Sequence, residues 1–112
     1  MKSEAVKTYW AKIYMSGPIE QAKQVIRRLA LEDGICVTVE PTTFIYTGSE
    51  EQGFVVGLVN YPRFPSTPEA LAERAMEMAL ELRDELYQHS VMVMTPYETS
   101  WLTVRDESKG AA

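Results

Sequence analysis

Few residues in this chain could carry out acid–base, nucleophilic or metal chemistry. It has one histidine, His89, one cysteine, Cys36, and one pair of adjacent glutamates, Glu50 and Glu51. One histidine and one cysteine cannot build the zinc sites that are usual in proteins. The sequence also has no phosphate-binding loop, dinucleotide fingerprint or nucleophile elbow. We therefore predict no metal, no cofactor and no catalytic residues, and we lean towards a protein that is not an enzyme.

Each of these residues also has an ordinary structural interpretation. Cys36 lies in an apolar, strand-like run, where a small buried or half-buried side chain is expected. His89 follows a predicted helix, and an imidazole there commonly interacts with the C-terminal carbonyls. Glu50 and Glu51 fall in a predicted turn between glycines. Paired carboxylates divide acid and base work when burial separates their pKa values, so an exposed turn favours a role in solubility and turn formation.

Charge and hydropathy exclude several classes of partner. The net charge of −5 disfavours nucleic acid and anionic membranes, which bind clustered Lys and Arg. The basic pair Arg27 and Arg28 lies in a predicted helix that also carries acidic residues, as expected for an exposed face of mixed charge. No apolar run reaches the roughly 18 residues of a membrane span, and the first residues are too polar for a signal peptide. With one cysteine no internal disulfide can form, so we predict a cytoplasmic protein.

The pattern of apolar residues predicts two helices and at least four strands. Alternation indicates strands over 8–15, 35–39 continuing to 43–47 past Pro41, 54–60 and 90–95, and a further strand over 99–104 is compatible with the sequence. Pro41 predicts a bulge or a sheet edge. Helical spacing follows Pro18 as far as Gly34, and again after Ser66, which forms a capping box with Glu69.

The element order β-α-β-β-α-β is that of the ferredoxin-like fold. We therefore predict an α+β two-layer sandwich, with both helices on one face of a mostly antiparallel sheet. A single domain is expected over 7–105, with flexible ends at 1–6 and 106–112.

The other face of such a sheet is predicted to be uncovered, and aromatic residues fall on it. Trp10, Lys12 and Tyr14 share one face of the first strand. Aromatic side chains on an open face are typical of interfaces and ligand platforms. A homo-oligomer interface is the leading interpretation of these three residues, and a ligand platform or a surface for another protein stay open as alternatives.

Five residues are candidates for binding a small ligand. Ser16 and Gly17 precede the first helix, whose N-terminal N–H groups favour anions. Tyr46 lies near the end of a predicted strand, and Asn60 and Arg63 follow a strand end.

Two short resemblances accompany this pattern. The segment Lys12–Ile19 resembles the strand–SGP–helix opening of nucleoside 2-deoxyribosyltransferase-like proteins, in which this turn holds part of a nucleoside or phosphate. That family has a parallel sheet, whereas the hairpin predicted over 43–60 is antiparallel. The sequences of three segments, Tyr9–Tyr14, Phe44–Gly48 and Asn60–Pro65, resemble those of small phage or prophage α+β proteins. This resemblance implies no particular activity.

The leading prediction is a non-enzymatic binding or interaction protein that self-associates and holds a small, anionic or nucleotide-like ligand. One alternative is a small dimeric α+β enzyme with its pocket at the subunit interface, using Tyr14, Arg63 and His89 as polar groups. Another is a phage-type inhibitor that binds a host protein.

Overall fold

The computed structural model describes residues 1–104, so the tail predicted over 106–112 lies outside the described residues. Regular structure begins at Trp10. The elements are β1 (Trp10–Ser16), α1 (Ile19–Asp33), β2 (Thr38–Tyr46), β3 (Ser49–Val59), α2 (Pro68–Glu85), β4 (Ser90–Met94) and β5 (Thr99–Thr103). In the described part of the chain, neither helix is both long and apolar enough to cross a membrane.

The five strands form one antiparallel sheet in the order β2-β3-β1-β4-β5. The first four strands have the ferredoxin-like order, in which each helix connects two strands that flank a third. β5 pairs with β4 as a hairpin and extends the sheet by one strand. The predicted α+β two-layer fold is confirmed, including the additional C-terminal strand.

The core lies between the helices and one face of the sheet. Alternate residues of three strands point into it, and α2 adds apolar residues three or four positions apart. Burying each large side chain contributes roughly 1.5–3 kcal/mol. The strands contribute Ala11, Ile13, Met15, Phe54, Val56, Leu58, Val91 and Val93, and the helices contribute Ala22, Ile26, Leu71, Ala75, Met78, Ala79 and Leu82.

The helix ends follow the sequence signals at one boundary and differ by one residue at another. Gly34 ends α1 in the left-handed conformation (φ 65°), and its N–H donates to the Ala30 carbonyl at 2.8 Å, as predicted. The N-cap of α2 is Thr67, whose hydroxyl accepts from the Ala70 N–H at 3.1 Å, so the predicted capping box at Ser66 is wrong. The carbonyl of Ser66 instead accepts the Tyr9 hydroxyl.

The two helices are joined at their exposed sides by one cation. The Arg28 guanidinium in α1 contacts the carboxylates of Glu81 (3.0 Å) and Glu85 in α2, and that of Glu32 one turn along α1 (3.9 Å). The hydrogen bond to Glu85 is the main reason that the pKa of Arg28 is raised above its usual value. The basic pair predicted to lie on a mixed-charge face thus contributes one residue to an inter-helix ion-pair network.

The hairpin of β2 and β3 extends beyond the rest of the sheet. β1 ends at Ser16, opposite Gly53, so residues 43–46 and 49–52 pair only with each other. We call this two-stranded segment, residues 43–52, the ribbon. β2 runs through Pro41 without interruption and forms the sheet edge, where the missing N–H of proline is tolerated.

Candidate active site

The face of the sheet opposite the helices carries a row of large apolar side chains. Strand register places Tyr14 beside Val55 on one side and Met92 on the other, and Met92 beside Trp101. Trp10 lies on the same face, with the Lys12 ammonium 5.2 Å from its ring centroid. No element among residues 1–104 covers this face. The structure therefore brings together Trp10, Lys12 and Tyr14, the three predicted interface residues.

A polar cavity of about 230 Å³ lies at the end of this face where the ribbon leaves the sheet. We call it the corner pocket. It combines one carboxylate, one imidazole, one amide, two hydroxyls and one indole, supplied by Ser16, Glu51, Gln88, His89, Ser90 and Trp101.

Five parts of the fold position these side chains. Ser16 is the last residue of β1, and Ser90 is the first of β4. The loop between α2 and β4 supplies Gln88 and His89, and β5 supplies Trp101. Glu51 comes from the ribbon, where the two-residue period of a strand puts it on the same face as Val55 and Tyr14.

One hydrogen bond orients the Glu51 carboxylate, and a second fixes the position of the ribbon. The Tyr46 hydroxyl donates to Oε1 of Glu51 at 2.8 Å, across the two strands of the ribbon. The Gly17 N–H donates to the Gln52 carbonyl at 3.1 Å and ties the ribbon to the end of β1. The backbone N–H of Gly17 is engaged in this bond. It is therefore not free to bind an anionic ligand, which was the role that the sequence suggested for it.

His89 lines the corner pocket with its imidazole exposed. The carbonyls at the end of α2 accept from the backbone N–H groups of Leu86, Tyr87 and Gln88. Backbone groups, and not the His89 side chain, therefore cap this helix, and the predicted capping role of His89 is wrong. Cys36, predicted to be buried or half-buried, is exposed and lies away from the corner pocket.

The remaining ligand candidates lie at the opposite end of the sheet. The Asn60 side chain is buried, with Nδ2 donating to the Lys7 carbonyl and Oδ1 accepting from the Ser66 N–H, both at 2.9 Å. The Arg63 guanidinium lies 5.6 Å from the centroid of the Phe64 ring. Ser16, Gly17 and Tyr46 thus lie near one another at the corner pocket, whereas Asn60 and Arg63 are remote from it.

Sequence reasoning missed three residues of this pocket, Gln88, Ser90 and Trp101, and interpreted a fourth, Glu51, as an exposed turn residue. The signal that could have identified Glu51 is the alternation of side chains between the two faces of a strand. Counting back by twos from Val55, which pairs with Tyr14, leads through Gly53 to Glu51 on the open face. That count requires the strand to continue through residues 49–53, which the sequence had suggested to be a turn.

Neither a family model nor a curated protein matches this sequence. Two solved structures have the same fold. An apo structure of a phage SAM lyase superposes with a TM-score of 0.69 at 17% identity, covering 87% of this chain and 90% of the other. A phage SAM lyase in complex with S-methyl-5′-thioadenosine superposes with a TM-score of 0.68 at 16% identity, covering 93% and 95% of the two chains.

These similarities correct the leading functional prediction. Identities of 16–17% establish a common fold, and the phage source of both neighbours agrees with the resemblance to phage proteins noted in the sequence. The neighbours are an enzyme, in one case with a bound nucleoside. This finding contradicts the interpretation as a non-enzymatic binding protein and favours the enzyme alternative, so the chain is a small α+β protein with the fold of phage SAM lyase.

Proposed function

We propose that this protein is a small enzyme that cleaves S-adenosylmethionine and releases S-methyl-5′-thioadenosine. The observation that carries the proposal is the fold shared with phage SAM lyase over nearly the whole of both chains. The corner pocket supports it, because a carboxylate next to aromatic side chains suits a substrate that is both a cation and a nucleoside.

The chemistry of the substrate limits what the protein must supply. The sulfur of S-adenosylmethionine carries a positive charge and three carbon substituents. When its bond to Cγ of the amino acid breaks, the bonding electrons go to sulfur and a neutral thioether leaves. Cγ has lost one bond and must form another. If water does not react, the new bond has to come from within the four-carbon fragment. Either its carboxylate oxygen bonds to Cγ and closes a lactone, or Cβ loses a proton and a double bond forms.

Glu51 is the residue best suited to hold a substrate cation. Its carboxylate lies in the corner pocket and is oriented by the hydroxyl of Tyr46. Contact with the α-ammonium would persist throughout the reaction, because that charge does not change. Contact with the sulfonium would instead weaken as the bond breaks, which would stabilise the substrate more than the transition state and slow the reaction. We therefore assign Glu51 to the α-ammonium group.

The aromatic residues beside the pocket suit the remainder of the substrate. Trp101 lines the pocket and continues the apolar row that includes Tyr14 and Met92. Stacking on aromatic rings is the common means of holding a base. In this arrangement the adenosine lies along the apolar row, and the amino acid part points to the polar corner.

A neighbouring subunit would complete the site. The corner pocket, at about 230 Å³, is smaller than the roughly 300–1,000 Å³ of most small-molecule sites. The ribbon also exposes large side chains, with Ile45 at 80% and Tyr46 at 51% of their accessible area. A second copy on the open face would cover Trp10 and Tyr14, enclose the substrate and exclude water. This arrangement corresponds to one of the alternatives predicted from the sequence, a small dimeric enzyme with its pocket at the subunit interface.

The test is incubation of the purified protein with S-adenosylmethionine and identification of the products by mass spectrometry. We expect S-methyl-5′-thioadenosine to form in proportion to enzyme concentration. The lactone and the unsaturated amino acid are isomers with the same mass, so the four-carbon product is also measured after alkaline hydrolysis. Only the lactone adds one molecule of water when its ring opens, and this gain in mass distinguishes lactone formation from elimination.

A matched pair of variants ties the activity to the corner pocket. Glu51→Gln removes the charge and keeps the shape, and Glu50→Gln makes the same change at the next residue, on the other face of the ribbon. Activity should fall only in Glu51→Gln. Absence of S-methyl-5′-thioadenosine with every preparation of the folded wild-type protein would refute the proposed function, and equal losses in both variants would refute the assignment of the site.

A further inference from the structure

A second and larger cavity, of about 380 Å³, lies on the helix side of the sheet between α1 and β2. We call it the α1–β2 groove. Its apolar wall consists of Ile26, Ala30, Ile35, Val37 and Val39, and its other lining residues are Lys23, Arg27 and Cys36.

The groove exists because of the way that α1 and the sheet edge meet. Arg28 ties α1 to α2, and β2 is the last strand on its side, so nothing in the described chain fills the space beyond it. Ile35, Val37 and Val39 line the groove from the first part of β2 and from the segment that leads into it. They remain only partly buried against the core.

The charge of the groove is opposite to that of the chain. Lys23 and Arg27 lie one turn apart on α1, and no carboxylate of the described residues lines the groove, although the net charge is −5. Lys23 is 3.4 Å from the exposed carboxylate of Glu20, a surface pair of the kind that contributes little. Arg27 has no ion-pair partner among residues 1–104.

The volume and lining fit a small molecule better than a peptide strand. The groove lies within the roughly 300–1,000 Å³ range of small-molecule sites, which combine apolar walls with a few polar groups. A peptide that extended the sheet would pair along the free edge of β2, where Pro41 lacks an N–H donor.

We propose that the α1–β2 groove binds a small anionic amphiphile. Its carboxylate or phosphate head contacts Lys23 and Arg27, and its apolar body packs on Ile26, Val37 and Val39. This site is on the opposite side of the sheet from the corner pocket, so the proposal does not depend on the reaction proposed above.

The first experiment is calorimetric titration of the full chain with decanoate below its micelle concentration, beside decan-1-ol and decylammonium. We expect saturable binding of decanoate, and binding at least about tenfold weaker for the neutral and cationic molecules, as the loss of a charge-assisted contact implies. Equal binding of all three, or binding of anionic lipid vesicles without binding of free decanoate, would overturn the proposal.

Charge-reversal variants locate the head group. Lys23→Glu with Arg27→Glu should weaken decanoate binding at least about tenfold. Lys2→Glu with Lys7→Glu changes the net charge by the same amount in the N-terminal segment and should leave the affinity unchanged. All four residues lie outside the buried core, so the variants are expected to fold, and circular dichroism checks this. Equal weakening in both double variants would show a non-specific charge effect and refute the site.

Cys36 provides an independent reporter, because it lines the groove and is the one cysteine in the sequence. Its alkylation by N-ethylmaleimide can be followed on the intact protein by mass spectrometry. At ten times the dissociation constant, decanoate should slow this reaction about tenfold, as simple competition predicts. An unchanged alkylation rate at saturating decanoate would place the ligand elsewhere and overturn the proposal.

Discussion

The replacement Gly53→Ala tests how closely the ribbon must approach the end of β1. A Cβ built at Gly53 lies 2.3 Å from the backbone carbonyl oxygen of Met15 and 2.6 Å from Cε2 of the Phe44 ring. Neither distance is tolerable for carbon, and the closer atom belongs to the backbone. Because a ring can rotate but the backbone of a paired strand cannot, we expect β1 and β3 to separate locally at this end of their pairing.

The size of the effect follows from two opposing contributions. Overpacking of this kind costs about 1–3 kcal/mol, and the smaller freedom of alanine in the unfolded chain offsets about 0.4–1 kcal/mol of it. A net loss of about 1–2 kcal/mol corresponds to a decrease in Tm of roughly 4–12 °C. Activity per folded molecule should fall as well, because Gly53 sets the position of Glu51 two residues away.

Thermal unfolding followed by circular dichroism measures this decrease, and Gly57→Ala is the matched control. A Cβ at Gly57 meets only the hydroxyl of Thr38, at 2.6 Å, which can rotate away. Its Tm should stay within a few degrees of the wild type, since such a change costs about 0.5 kcal/mol or less. Equal Tm values for the two variants would refute the reasoning. Full recovery of the wild-type Tm when Phe44→Leu is added to Gly53→Ala would refute it too. Such a recovery would show that the ring of Phe44, and not the Met15 carbonyl, causes the loss of stability.

Four further changes test other parts of the structure. Glu51→Gln should raise KM for S-adenosylmethionine about tenfold with little change in kcat, because the contact with the α-ammonium is the same in substrate and transition state; a fall in kcat alone would instead indicate a base. Asn60→Ala removes two part-buried hydrogen bonds, to the Lys7 carbonyl and from the Ser66 N–H, and should cost about 1–3 kcal/mol in chemical denaturation, without changing ligand affinity; a loss of affinity at unchanged stability would instead support its sequence-based role as a ligand residue. Trp10→Ser with Tyr14→Ser should yield a folded monomer in analytical ultracentrifugation, and an unchanged oligomer would exclude the open face as the interface. Arg28→Met should lower Tm at low ionic strength, and the difference should shrink in about 1 M NaCl, which screens ion pairs; a salt-independent difference would point to packing instead.

The fold was predictable because its signals are local and agree with one another. Alternation in the strands, helical spacing in α1 and α2, and Gly34 at a helix end each specify an element without reference to the rest of the chain. The order of the elements then limits the sheet to very few topologies. The prediction is wrong where a residue has hydrogen-bond partners that lie far away in the sequence. Ser66 has the sequence of a helix cap, but its backbone is engaged by Asn60 and Tyr9, so Thr67 becomes the cap.

The corner pocket was harder to predict because one turn was placed wrongly. The run from Gly48 to Gly53 has the composition of a loop, which made its two glutamates look like solvating residues. In the structure Thr47 and Gly48 alone make the turn, with Gly48 at φ 78°, and pairing resumes at Ser49. Glu51 is therefore a strand residue with a fixed face. Its neighbours in the pocket are Ser16, 35 residues earlier in the sequence, and residues of the 88–101 region, so no local pattern could join them.

The prediction of a non-enzymatic protein failed for a chemical reason. It rested on the lack of a zinc site and of the sequence motifs for phosphate binding, dinucleotide binding and a nucleophilic serine, and metal ions and activated nucleophiles are means by which enzymes drive unfavourable steps. A sulfonium substrate already carries a good leaving group, because the departing thioether is neutral and needs no proton. In the lactone route the nucleophile is part of the substrate too, so what remains for the protein is orientation and exclusion of water. Under the proposed function, the Glu51 carboxylate, the Trp101 indole and a covering subunit would provide these. For substrates of this kind, a missing catalytic motif is no evidence against catalysis.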